Sequence, residues 1–176
     1  MKQGLLARVM RAQRLPVQAA FAGLVAGTFA TAVQMLLWVF SATPVFETLL
    51  RDARLTAAIV MGRKVLAEES GWRLDVLAIA TLIHFGISFI YAAMALPIAG
   101  RLPAGIALLA GGLYGLAIYV VNLHGFTSIF PWFAVSRGWA TILAHVAFGV
   151  SLLWICRSFD SSRNAASAMR QRLPGE

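Results

Sequence analysis

The chain has 176 residues, of which 60% are hydrophobic and only 12% charged, with a formal charge of +8. An ordinary soluble domain has ~45–50% apolar and ~25% charged residues, so the apolar surplus here has to be solvated by lipid. The basic balance does not mark a nucleic-acid binder, because Lys and Arg flank apolar spans instead of forming one basic stripe in polar surroundings. The single cysteine, Cys156, excludes an intramolecular disulfide and a thiolate metal cluster, and reads as a small apolar filler.

Residues 1–16 form a basic segment in which Lys2, Arg8, Arg11 and Arg14 alternate with Leu5, Leu6, Val9 and Met10. Such a segment is expected to lie on an anionic inner leaflet as a short amphipathic turn or two. It reads as retained, since the apolar run after it is too long for a signal-peptide core and no A-x-A-like site closes it.

The first span is 17–40. Ala19, Gly23, Gly27 and Thr31 recur at i, i+4, a small-residue face that lets another backbone approach closely, and Gln34 continues that face. Pro44 ends the helix by disfavouring helical geometry in the residue before it.

Residues 41–75 are the one sizeable polar stretch. Arg51, Arg54, Arg63, Lys64 and Arg73 are balanced there by Glu47, Asp52, Glu68, Glu69 and Asp75. Leu55, Ile59, Gly62 and Leu66 share a helical face, which predicts a short interfacial helix. The uncharged run between Leu55 and Gly62 is too short for a fifth crossing.

The second span is 76–100 and the third 102–124. The turn between them, with Arg101 and Pro103, is so short that the two helices are expected to be antiparallel neighbours. The stretch 108–133 carries no Asp, Glu, Lys or Arg. Gly111 and Gly115 climb one of its faces to Asn122, and it is expected to break at His124–Gly125 into an aromatic loop, Phe130-Pro131-Trp132-Phe133. A fourth span, 138–156, precedes a tail, 157–176, that is rich in Ser, Asn and Ala and is expected to be loose. The predicted fold is therefore an all-α four-helix transmembrane bundle with a short interfacial helix between the first two spans.

Orientation follows from charge. With the termini inside, nine Lys/Arg and two acids face the cytoplasm, against six and five on the outer side. The positive-inside rule then puts both termini in the cytoplasm and, for a bacterium, the protein in the inner membrane.

Spans one and three resemble each other. Eleven residues after Gly23 and after Gly111 comes an amide, Gln34 or Asn122. Spans two and four both open with Ala-Thr and carry an early histidine followed by Phe-Gly-x-Ser. Two tandem hairpins would explain this, but aligning His84 with His145 leaves the Phe-Gly-x-Ser elements two residues out of register.

Polar groups inside a membrane are costly enough to nominate a site. His84 lies about 14 Å into its helix, counting 1.5 Å per residue, and His145 lies at a comparable depth. With Gln34 and Asn122 they form an expected polar cluster, both imidazoles turned inward. The plainest reading is polar packing. A second makes His84 and His145 a pH-responsive pair whose tautomers Gln34 and Asn122 hold. A third makes them ligands to haem b. Zinc would need His124 as a third ligand and has no further donor nearby, so no metal is expected. Trp38, Trp72, Trp132 and Trp139 read as an interfacial belt, or else Tyr91, His124, Trp132 and Arg137 rim a pocket for a substrate or quinone. Gly23, Gly27, Gly111 and Gly115 are packing positions, not phosphate binders. Nothing in the pattern points to an enzyme. The expected partners are the bilayer and either further copies of the chain or a larger membrane complex.

The stretches His84-Phe-Gly-Ile-Ser-Phe-Ile-Tyr91, Leu109-Ala-Gly-Gly-Leu, Phe130-Pro-Trp and Ala144-His145-Val-Ala-Phe resemble the YagU-like bacterial inner-membrane proteins. They also resemble short proteobacterial proteins labelled "sodium:proline symporter". The likeness covers about residues 76–156, and implies a multi-span inner-membrane protein with a role in acid resistance.

Overall fold

The computed structural model describes residues 2–67 and 72–172 and, within them, the side chains of 15–67 and 72–159. Glu68 and Glu69 of the polar loop lie outside the described residues. All regular structure that is described is helical: α1 (Lys2–Phe40), α2 (Val45–Met61), α3 (Leu74–Ala99), α4 (Ala104–Val120) and α5 (Trp139–Arg172).

Four stretches are long and apolar enough to cross a membrane: Leu15–Phe40, Leu74–Ala99, Ala104–Ser128 and Trp139–Phe159, of 21 to 26 residues each. At 1.5 Å per residue they reach ~31–39 Å, enough for a hydrocarbon core of about 30 Å. The molecule is a multi-pass, all-α integral membrane protein.

The helices outrun the spans at both chain ends. The basic leader is no separate amphipathic turn; it is helical and continuous with span one through Pro16. Likewise the expected loose tail is helical as far as Arg172. Leu, Arg and Gln in the leader, and Ala and Arg in the tail, favour helix.

The interfacial helix exists but is displaced. It opens after Pro44, whose carbonyl accepts a 2.6 Å hydrogen bond from Thr48 Oγ1. It stops at Gly62, where φ is +81°, a conformation open mainly to glycine. Leu66 therefore belongs to a following 3₁₀ turn, Arg63–Leu66. Leu55, Ala57 and Ala58 are buried, while Glu47 and Arg51 face out. Ala57 and Val65 share a small apolar cluster with Val76 and Ala80 of α3.

In the bundle, α5 is the hub, packing on α4, α1 and α3, while α1 packs on α3. The core is built from small side chains: Ala19, Ala22, Ala26 and Ala30 of α1 with Ala92, Ala95 and Ala99 of α3, closed by Phe148, Leu152, Leu153 and Cys156 of α5. Phe21, Leu24, Phe29, Leu82, Leu109 and Leu113 face outward instead. Between helices in lipid there is no hydrophobic drive, so close backbone approach through small residues does the work of association. The expectation for α3 and α4 fails here. Despite their tight turn, their backbones do not pair, and Tyr91 and Tyr114 stand between them.

Nor does the third span break at His124–Gly125. It widens into a π turn, Val121–Gly125, and tightens into a 3₁₀ turn, Phe126–Ser128. Arg137 makes this possible: its Nε donates to the Leu123 carbonyl and its Nη2 to Thr127 Oγ1, both at 2.7 Å. A π turn leaves carbonyls displaced from the α ladder, and a guanidinium is a strong partner for one.

Candidate functional site

The small-residue faces of α1 and α4 are where each hairpin closes. A Cβ at Gly23 would lie 2.8 Å from the Ser88 carbonyl oxygen of α3 and 2.9 Å from the Phe89 nitrogen. A Cβ at Gly111 would lie 2.7 Å from Val150 Cα and 2.8 Å from the Gly149 carbonyl oxygen of α5. One turn on, Gly27 faces His84 Nε2 at 3.1 Å, and Gly115 abuts the His145 main chain.

These contacts put the two seams in one register. Gly23 and Gly27 correspond to Gly111 and Gly115, a separation of 88 residues, which also carries Gln34 onto Asn122. His84, Ser88 and Phe89 correspond to His145, Gly149 and Val150, a separation of 61. The 27-residue difference equals the length of 45–71, the segment that holds α2. The histidines are thus the equivalent pair, and the Phe-Gly-x-Ser likeness is not: Gly86 faces open space, whereas Gly149 lies in the seam.

His145 is the enclosed member. Its Nδ1 lies 2.8 Å from the Thr141 carbonyl oxygen. A carbonyl only accepts, so Nδ1 bears the hydrogen and Nε2 of the neutral ring carries the lone pair. Gln34 Nε2 donates to Thr141 Oγ1 at 3.4 Å, so α1 braces the residue that orients the imidazole. The Tyr119 ring stands edge-on to His145 at 5.6 Å and, on its other side, to His124, also at 5.6 Å. His124 itself is exposed.

His84 is not turned wholly inward. One side meets Gly27 of α1 and its own neighbour Phe85, 5.0 Å away ring to ring, and the rest is open on the bundle surface. The register explains the difference, because the residue matching Tyr119 is Thr31. Its hydroxyl turns back to the Gly27 carbonyl at 3.0 Å.

The expected cluster is therefore partly assembled. Gln34 and His145 meet through Thr141, while His84 packs on Gly27 of α1. Asn122 goes elsewhere: its Oδ1 accepts a 2.6 Å hydrogen bond from Tyr91, whose carbonyl in turn accepts one from Tyr114. That network ties the hairpins together and holds no histidine.

Of the expected pocket rim, Tyr91 and Arg137 both bond within 122–127, the stretch that holds His124, while Trp132 turns to α2. Tyr91 sits about 25 Å along α3 from Leu74, counting 1.5 Å per residue. Trp132 is at the α2 end, where its Nε1 donates to the Leu55 carbonyl at 2.9 Å and Arg63 lies over its ring at 5.5 Å. It locks the loop 131–136 onto α2, helped by Ser136 donating to Asp52 at 3.1 Å. Of the proposed belt, Trp72 and Trp139 are exposed near helix starts as such residues should be, but Trp38 is buried. Among the described residues, no three His, Cys, Asp or Glu side chains gather as a metal site would need.

Sequence reading placed Thr141 on the face of His145 without giving it a role, and missed Tyr119. Thr141 lies four residues before His145, and that helical spacing was the available signal. Tyr119 had none, being one apolar-looking residue in an uncharged run. The architecture defines an integral membrane protein of two helical hairpins, each with a histidine in its glycine seam. Comparison with protein-family models, with curated proteins and with solved structures finds no match.

Proposed function

We propose that the protein handles protons in a bacterial inner membrane, with His84 and His145 as the groups that change charge. The observation that carries this is the shared register, which sets an imidazole at the same station in two unlike hairpins. Histidine is the side chain whose charge changes near neutrality. His145 presents a lone pair at Nε2, held in that tautomer by the Thr141 carbonyl. His124 and Tyr119 lead from the exposed surface at the α2 end toward His145.

The charge distribution favours cytoplasmic termini, so α2 would lie on the outer side. The apolar outer faces suit the bilayer, a second copy or a larger complex alike. Proton handling is also the chemistry that acid resistance would use.

The test is an acid pulse applied to proteoliposomes that enclose a pH-sensitive dye, with the membrane potential clamped. Wild-type vesicles should equilibrate faster than those holding the doubly substituted His84→Gln, His145→Gln chain. Equal rates would reject the proposal. So would a Soret band in the purified protein that either substitution removes, because that would make the histidines haem ligands.

A further inference from the structure

We infer that the open side of His84 binds the hydroxylated aromatic ring of a bilayer-soluble molecule, of which a prenylated quinol is the chemical class. The hairpins share one register, so each shows what the other lacks. Beside His145 stands the Tyr119 phenol, edge-on at 5.6 Å with rings inclined by 78°. At the matching station beside His84 the chain supplies Thr31, whose hydroxyl is spent on the Gly27 carbonyl. Where Tyr119 stands in one hairpin the other has no aromatic residue of α1, and the imidazole there is exposed.

An uncovered imidazole in hydrocarbon is costly, which gives a neutral molecule with a polar head a reason to bind. The fold displays the shape that fits: a single phenolic ring. Phe85, 5.0 Å from His84, supplies an aromatic wall. His84 Nε2 faces α1, 3.1 Å from where a Cβ at Gly27 would lie. Its Nδ1 is then the nitrogen left to accept a hydrogen bond from the ligand hydroxyl. Entry is sideways from the bilayer, since α1 and α3 close the site toward the core. The inference shares His84 with the proposed function but does not depend on proton movement, because binding and flux are read separately.

The test uses 4-octylphenol, a redox-inert phenol that partitions into bilayers, radiolabelled and bound to the chain in lipid nanodiscs. Saturable binding is expected for the wild type, weakened at least ten-fold by His84→Gln. Octylbenzene, which has no hydroxyl, should compete at least ten-fold less well. Thr31→Tyr is the decisive variant: it rebuilds the second hairpin's arrangement in the first and should block the site in a helical, folded chain. Thr31→Phe should block it likewise. Absent saturable binding, wild-type binding in both Thr31 variants, or equal competition by octylbenzene would overturn the inference. It would also fall if cross-linking shows a dimer that Thr31→Tyr dissolves, since a second copy would then be the cover for His84.

Discussion

Gly115→Ala tests whether the α4–α5 seam is a backbone contact. The added methyl would sit on the His145 carbonyl oxygen, with its carbonyl carbon at 2.8 Å and Val146 Cα at 2.9 Å. Carbon atoms pack best about 3.5–4.0 Å apart. The obstructing atoms belong to the α5 main chain, so neither can rotate away and the helices must separate. Overfilling a packed interior costs about 1–3 kcal/mol, and an immovable neighbour puts this case at the upper end. Replacing glycine by alanine in a helix returns about 1 kcal/mol, leaving a net loss of about 2 kcal/mol. Gly112→Ala is the matched control, because nothing lies within 4 Å of its added methyl. That variant should keep the gain of about 1 kcal/mol, so the two should differ by about 3 kcal/mol, roughly a hundred-fold in the unfolding equilibrium. Reversible unfolding in mixed dodecyl maltoside and SDS micelles, followed by circular dichroism, measures it. Coincident curves for the two variants would refute the seam.

Gly27→Ala should be milder than Gly115→Ala in the same titration, losing less than about 1 kcal/mol, because its nearest neighbours are side-chain atoms of His84 and Ser88 that can shift. Tyr91→Phe removes the hydrogen bond to Asn122 and should cost about 1 kcal/mol, the usual scale for such bonds inside membranes. Trp132→Phe keeps a ring over α2 but loses the donor to Leu55, so hydrogen exchange should rise in 131–136 and along α2 while the four spans stay protected. Thr141→Val removes the acceptor of Gln34 but leaves the carbonyl that holds His145, so the ¹⁵N tautomer signature of His145 should persist. Loss of that signature would show that the hydroxyl, not the carbonyl, sets the tautomer.

The spans were legible because hydrophobicity and charge are summed properties: a run such as 108–133, without one formal charge, has few places to be except in lipid. The glycine faces were legible too, since Gly23 and Gly27, like Gly111 and Gly115, recur with the helical period. What spacing does not encode is the partner. Gly111 was marked for close approach, yet nothing in its neighbours chose Gly149 over a residue of α3. The four-residue turn after α3 promised a tight pair with α4, but two tyrosines fill that gap and the small residues direct α4 onto α5. Asn122 was recognised as an amide needing a partner, and its partner proved to be Tyr91, 31 residues earlier. The chain ends were misread for a different reason. Low hydropathy suggests a loose tail and a leader lying apart from the first span, although helix propensity is independent of lipid and carries both helices beyond the membrane.

The register of the seams also bears on why the two halves of the molecule differ. Were the hairpins alike in every contact, their histidines would have the same cover and the same access. The backbone equivalence holds at the glycines and at both histidines, and it lapses at position 31, where threonine stands for tyrosine. It lapses again at Ser88, which stands for Gly149. Gly149 lets α5 settle onto the α4 backbone, whereas Ser88 keeps a hydroxyl beside Gly27 that donates to the His84 carbonyl at 2.8 Å. Both differences act in one direction. The second hairpin is drawn tight around a roofed imidazole, while the first is left looser around an open one. Packing alone would be served by two tight seams. The proposed ligand would use the open side of His84, and Thr31→Tyr, which covers it, should raise stability while removing that room.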